Sequence, residues 1–400
     1  MAVTTIQTNN KLIRFTQDIN REWVRESMYR PYMGEGLNAI IRVRNELKNG
    51  GEQMNIPLVT KLLGEGVGTG VLVGNEERID NYGMRLWIDW ARHAVVTNKA
   101  ETQKDSADIF GEAKLLLSDW AKELQKNEVT QQFLSLPSES APANLGTASG
   151  QRVNGILWES STAAQRSTWV SDNHDRVLFG NAISNHITTT TVASIGSALS
   201  VVGTAQRLSY TIVQMLKRRA ELAAPKIRPY RTEDGYEYYV LFAGSYAFRD
   251  LAGDTNVIAL NRDARAREGR GMDSNPLFQD GDLLINGVIV RKAPEISTYV
   301  DRAWSSILGS GGVSGRVEPV FLCGQQAAVL GFGQMIKPTS RDETDYQFVN
   351  GVGVMMAYGV GKMFKKHSVI TPNTTATVLN ASGLVQWGQV TGFVAASTDS

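Results

Sequence analysis

The stretch MRLWIDWARHAVVT, residues 84–97, decides how this chain is read. Its even positions are apolar at the start: Met84, Leu86, Ile88 and Trp90. Its odd positions are mixed: Arg85, Trp87, Asp89 and Ala91. A period of two marks an extended strand with one covered face. Downstream the period changes. Across residues 106–135, Ile109, Ala113, Leu116, Leu117, Trp120, Ala121 and Leu124 fall on the stripe of a helix buried along one side. At about 1.5 Å per residue that helix spans roughly 45 Å. A long strand arm feeding a long helix suits a part that reaches neighbouring subunits. It is a poor match for a compact enzyme.

Upstream, residues 51–98 read as an extended hairpin. Residues 54–63 run out, and residues 71–73 with 84–97 return. The tip, GEGVGTG, carries Gly64, Gly66, Gly68 and Gly70 at every second position, where glycine supplies backbone freedom at low steric cost. A phosphate-binding loop is the competing reading, but no G-x-G-x-x-G register is present and no Lys-Ser/Thr follows. Before the hairpin, residues 1–50 read as an arm. In it Lys11, Arg14, Arg21, Arg25 and Arg30 alternate with Phe15, Trp23, Tyr29 and Tyr32. Such a pattern serves nucleic-acid contact or an arm laid across a partner. Asp18, Glu22 and Glu26 offset much of its charge and favour the second.

Beyond the long helix, residues 136–203 are rich in Ser, Thr, Ala, Asn and Gly and read as a surface excursion with one or two short helices. A helix follows over about residues 204–224. Its stripe is Leu208, Ile212, Met215, Leu216 and Ala220, Lys217 to Arg219 complement its dipole, and Pro225 stops it. After residue 236 short strands alternate with short helices without a βαβ rhythm, which is α+β texture.

Composition excludes several classes. Lysine and arginine number 41 against 40 acidic residues, a formal net charge of +1, so the whole chain lacks the basic excess of a protein that grips nucleic acid by charge alone. The single cysteine, Cys323, allows no disulfide within the chain. No apolar run approaches the roughly 18 residues of a membrane span. The first residues lack the apolar core of a signal peptide, and an intracellularly made, soluble protein is expected. Four histidines, His93, His174, His186 and His367, form no metal-binding spacing. His174 beside Asp175 is the nearest approach to a catalytic pair, for a hydrolase with a nearby serine. No Gly-x-Ser-x-Gly elbow accompanies it. Gly361-Lys362 has the look of the end of a Walker loop, yet Met363 replaces the required Ser/Thr. The acidic clusters Asp342, Glu343, Asp345 and Glu76, Glu77, Asp80 are explained by turn chemistry and solvation. No cofactor or metal site is expected.

Several segments, in order, resemble the major capsid family of N-four-type podophages, a branch of the Hong Kong 97-type phage capsid fold. They are G-E-x-M-N-I-P-L at residues 51–58, L-x-G-x-G-V-x-x-G-V-L-V-G-N-E-E at 62–77, I-D-x-A-R-H-A-V at 88–95 and D-x-x-x-x-A-K-x-x-L-x-x-W at 108–120. Later come RVLFGNA at 176–182, YYVLFAGSYAFRDL at 238–251, NPLFQDGDLLINGVIV at 275–290, VFLCGQQAAVLGFG at 320–333 and YGVGKMF at 358–364. The resemblance implies an N-terminal arm over 1–50 and an extended loop over 51–98 that lies on the next subunit. It implies a peripheral domain over 99–203 with its spine helix at 106–135, an axial domain over 204–316, and a return to the peripheral domain with a C-terminal tail over 317–400. Inter-subunit contacts are then expected at Leu62, Leu63, Gly64, Gly66, Val67, Gly68, Gly70 and Val71, and a spine-helix core at Ile109, Leu116, Leu117, Trp120 and Leu124. The implied role is a structural subunit, made in the host cytoplasm, that closes as pentamers and hexamers into a virion shell around double-stranded DNA. The implied partners are copies of itself, scaffolding, portal and cementing proteins, and DNA contacted without sequence preference; no membrane is involved. A cellular nanocompartment shell or another phage structural part is the alternative.

Overall fold

The computed structural model describes residues 26–59, 62, 66–76, 79, 81–104, 109–180, 198–199, 202–232, 235–260, 278–279, 282–305, 308, 316–344, 348–366 and 383–396. The described residues group into two units. One holds residues 91–125 and 335–356; the other holds those within 28–90, 126–334 and 357–400. The first strands are β1 (Met33–Gly34), β2 (Ile41–Arg44), β3 (Gln53–Val59), β4 (Asn81–Trp87) and β5 (Asp89–Asn98). Helices α1 (Lys99–Lys104), α2 (Ile109–Gln132) and α3 (Ala163–Asp172) follow, then β6 (Val177–Phe179) and α4 (Tyr210–Leu222). The rest of the chain alternates: β7 (Tyr230–Arg231), β8 (Glu237–Ala243), α5 (Ser245–Ala252), β9 (Phe278–Gln279), β10 (Asp282–Ile285), β11 (Val288–Lys292) and α6 (Pro294–Arg302). It ends with β12 (Val317–Cys323), β13 (Ala328–Thr344), β14 (Val349–Lys362), β15 (Phe364–Lys366), β16 (Leu384–Gln386) and β17 (Gln389–Ala395).

The larger unit is organised by a mixed sheet of order β6-β17-β12-β8-β11-β10-β9, with β7 on β8. Every residue of β12 and β17 is buried. Strands covered on both faces read as continuous apolar runs, which is why residues 317–323 show no alternation. One face packs the stripe of α4, Ile212, Met215, Leu216 and Ala220, together with Leu241, Val290, Val320, Leu322 and Val390 in one cluster. Phe242 and Phe321 belong to an aromatic cluster. There Tyr29 lies 5.0 Å from Phe242, and Phe133, just past α2, stacks on Phe321 at 5.6 Å. Residues 28–49 therefore do not behave as an arm. Met28, Tyr29, Tyr32, Ile40, Ile41 and Leu47 are all buried.

Residues 136–180 depart from the expected surface excursion as well. Small polar residues dominate the composition, but two tryptophans decide the packing. Trp158 lies edge-on to Trp169 at 5.8 Å, and both adjoin Phe393 of β17. Helix α3 starts with a capping box: Gln165 N donates to Thr162 Oγ1 at 3.2 Å, and Thr162 N donates to Gln165 Oε1 at 2.8 Å. Residues 181–197 of that stretch lie outside the described residues.

A second sheet has the order β1-β2-β13-β14-β5 and leaves β5 at an edge. The period of two that opened the sequence reading changes phase here. Met84 and Leu86 are buried, Ile88 is half-buried, and then Asp89 and Ala91 are buried while Trp90 is 52% exposed. The chain leaves the β3–β4 hairpin at Ile88 and enters another sheet, so the covered face swaps. Asp89 is buried because it holds backbone: Gln151 N donates to its Oδ2 at 3.0 Å and Gly146 N at 3.2 Å. The hairpin thus ends at Trp87, and residues 89–98 are not part of it.

Candidate assembly surfaces

The hairpin is antiparallel from Gln53 opposite Trp87 to Val59 opposite Asn81. Its alternation puts Ile56, Leu58, Met84 and Leu86 on one face, where they cluster with Val329, Met363 and Phe364. Burying four such side chains is worth on the order of 10 kcal/mol before ordering costs. Glycine allows the close approach. A Cβ on Gly359 would stand 2.0 Å from the Trp87 carbonyl oxygen, and one on Gly361 would stand 3.0 Å from Leu86. Asn154 closes the end of β4 from the side: it accepts from Trp87 N and donates to Trp87 O, both at 2.9 Å. The stem is a fixed part of the larger unit.

The tip is different. Val59, Leu62, Val67, Val71, Leu72, Val73 and Ile79 are all exposed, Val71 at 73% and Val73 at 81%. Among the described residues the turn is held by local bonds: Asn75 N donates to Leu72 O, Asn75 Nδ2 to Val71 O, and Gly74 N to Glu76. The last bond accounts for Glu76 as turn chemistry. Gly66 and Gly74 have positive φ, whereas Gly68 and Gly70 do not. Leu63 and Gly64 lie outside the described residues. Large aliphatic side chains without a covering layer are unusual on a lone subunit and mark an interaction surface.

Helix α2 is described over Ile109–Gln132 and stops short of the residue 135 read from sequence; residues 105–108 lie outside the described residues. Ala113, Leu117 and Ala121 form its buried ridge, Leu117 at 3% exposure. Trp120 and Leu124 are half-buried, with Trp120 4.8 Å from the His93 ring. Leu116 is 46% exposed and is removed from the expected core; its neighbour Leu115 is exposed as well. The i, i+4, i+8 ridge is narrower than the stripe suggested, and Leu116 sits about 100° round the helix from Leu117. Nothing is assigned to the Ile109 side chain, which lies outside the described ones.

Several polar groups buried in the larger unit are engaged structurally. Arg152 Nη2 meets Glu128 Oε1 at 2.6 Å, and Tyr358 donates to the other oxygen of the same carboxylate. Asp175 accepts from Ala224 N at 2.9 Å and pairs with buried Arg176, while the His174 ring faces Ser171 O at 3.3 Å. The supposed catalytic pair is thus two separate anchors. Cys323 is fully buried, and burial raises its thiol well above the ordinary range. Lys362 lies inside β14 rather than at the end of a phosphate loop. It is 2% exposed and its Nζ is 5.6 Å from the Trp169 ring centroid. With the Gln386 amide oriented to satisfy both its ends, the Gln386 oxygen accepts from Lys362 Nζ at 3.2 Å and from Trp169 Nε1 at 2.6 Å. Burial pushes the lysine down to about 7, and nearby Cys323 opposes that shift. Sequence reading weighed this residue only as the end of a Walker loop and missed its burial, because a lysine in an apolar run gives no sign of which face it takes. Among the described residues no His, Cys, Asp and Glu grouping could hold a metal, and no helix is long and apolar enough to cross a membrane.

A profile of the phage capsid protein family matches residues 8–374. The chain belongs to the phage capsid protein family. Solved structures agree over its full length. The capsid protein of cyanophage Pam1 is 30% identical, with 100% of both chains covered and a TM-score of 0.82. That of Ralstonia phage GP4 is 17% identical, with 100% of both chains covered and a TM-score of 0.65. The head protein of Helicobacter pylori bacteriophage KHP40 is 14% identical, covering 98% of this chain and 99% of that one at a TM-score of 0.64. No curated protein sequence matches. The capsid protein has the Hong Kong 97-type fold and is a structural shell subunit, not an enzyme. A virion shell is its place, and copies of itself are its partners.

Proposed function

We propose that this capsid protein closes its shell by laying the hairpin tip, residues 60–80, over an adjacent copy. The exposed aliphatic row Leu62, Val67, Val71, Leu72 and Val73 carries the reading, because no described residue of its own unit covers it. The stem supplies a rigid base, and the tip gains its burial from the neighbour. Ordering the tip costs about 1–2 kcal/mol per residue, which that burial must offset. Leu115 and Leu116 on α2 and the free edge of β5 are further surfaces for contact between copies. Residues 204–316 act as the axial domain at five- and six-fold centres, within pentamers and hexamers. The shell encloses double-stranded DNA, is assembled in the host cytoplasm, and meets scaffolding, portal and cementing proteins at its surfaces.

Hydrogen exchange on unassembled and assembled protein tests the tip. Residues 66–76 should gain protection on assembly while residues 53–59 stay protected in both states. Removing residues 64–70 should leave a folded subunit that fails to close shells. Equal protection of the tip in both states, or normal shells from the deletion, would refute the proposal.

A further inference from the structure

The capsid protein is nearly neutral as a whole, yet one short stretch is not. Residues 216–231, LKRRAELAAPKIRPYR, hold six cations, Lys217, Arg218, Arg219, Lys226, Arg228 and Arg231, against the single acid Glu221. Cations in the last turn of α4 complement the helix carbonyls, which accounts for Arg218 and Arg219 in part. It does not account for Lys226 and Arg228, which lie beyond the helix.

The backbone there is pinned at close intervals. Ile227 is buried between exposed Lys226 and Arg228, its N donates to Ala220 O at 3.1 Å, and its O accepts from Tyr239 OH at 3.0 Å. Arg228 O accepts from Gln325 N at 2.8 Å, and Arg231 N donates to Asn38 at 2.9 Å. The bond to Ala220 folds residues 226–228 back against the turn that carries Arg218 and Arg219. Three of the six cations are engaged locally: Lys217 with Asn286 O, Arg219 with His174 O, and Arg231 with Glu237. Arg218, Lys226 and Arg228 are exposed and meet no carboxylate among the described residues. Like charges carried close in the chain on an ordered backbone repel one another unless a polyanion neutralises them.

We propose that Arg218, Lys226 and Arg228 form a contact for the phosphate backbone of nucleic acid, resting on the reading that the shell encloses DNA. Contacts to phosphates position a nucleic acid without reading its bases, so binding here is independent of sequence. Each phosphate contact releases counterions and adds about 0.9 to the slope of log affinity against log salt. Three contacts therefore make binding about 40-fold more sensitive to a rise from roughly 50 to 200 mM salt.

The test uses full-length unassembled protein and a labelled random-sequence duplex, with affinity read by fluorescence anisotropy across that salt range. Particles from the same proteins are imaged by electron microscopy. One variant carries Arg218→Gln, Lys226→Gln and Arg228→Gln; the control carries Lys48→Gln, Lys99→Gln and Lys114→Gln, all exposed cations elsewhere. The expected result is a salt slope lower by about 2.7 in the first variant and unchanged in the control, with particles formed by both. Equal losses in the two variants overturn the proposal, and so does absence of wild-type binding at low salt. A first variant that keeps its DNA affinity but forms no particles also overturns it, and assigns the patch to contact between copies. Wild-type protein that never forms particles counts against the assembly reading instead, and the salt slopes still decide the phosphate site.

Discussion

Replacing Lys362 by methionine keeps the length of the side chain and removes a charge from a site with no carboxylate partner among the described residues. The ammonium is 2% exposed and faces the Trp169 ring, Gln386 and the buried thiol of Cys323. Its fall from the ordinary 10.5 to about 7 is worth roughly 5 kcal/mol between the two protonation states. Between pH 7 and 10.5 the unfolded chain binds the proton more tightly than the folded one, so folding stability contributed by this site rises with pH across that window. Below it the penalty is fully present; above it the penalty is gone. Lys362→Met should therefore stabilise the protein by up to about 5 kcal/mol at pH 6, and the gain should shrink towards zero by pH 10.5. Urea unfolding of unassembled protein, followed by tryptophan fluorescence at several pH values, measures both numbers. A variant less stable than wild type at pH 6, or a difference that does not change with pH, would refute the reasoning.

Other perturbations separate packing from assembly. Arg152→Ala strands the Glu128 carboxylate, with its partner Tyr358, in a buried site and should cost about 3–5 kcal/mol in thermal unfolding, with part recovered by adding Glu128→Gln. Leu117→Ala should lower stability by about 2–5 kcal/mol, whereas Leu116→Ala should change it by less than about 0.5 kcal/mol and show its effect in shell yield. Gly359→Ala drives a methyl into the Trp87 carbonyl and should destabilise by about 1–3 kcal/mol or more, seen as lost solubility and early melting.

Much of this could be read from the chain, where local pattern and burial share one cause. The alternation of residues 53–59 and 81–87 is legible because only one face of that hairpin is covered, and the stripe of α4 because a single sheet face receives it. The ordered run of motifs carried the capsid family. Several of them, such as YGVGKMF, contain the glycines that let β4 approach β14.

The sequence by itself determined the α+β class, the hairpin with its exposed aliphatic tip, the long helix and the family, since each rests on short-range periodicity or on residues close in the chain. Only the tertiary structure decided the swap of covered face at Ile88, the burial of Tyr29 and Tyr32 in what reads as an arm, and the tryptophan packing hidden in residues 136–180. It also decided the exposure of Leu116 and the burial of Lys362. Each of these depends on which distant strand or helix covers a given face, and a side chain's own neighbours in sequence carry no record of that.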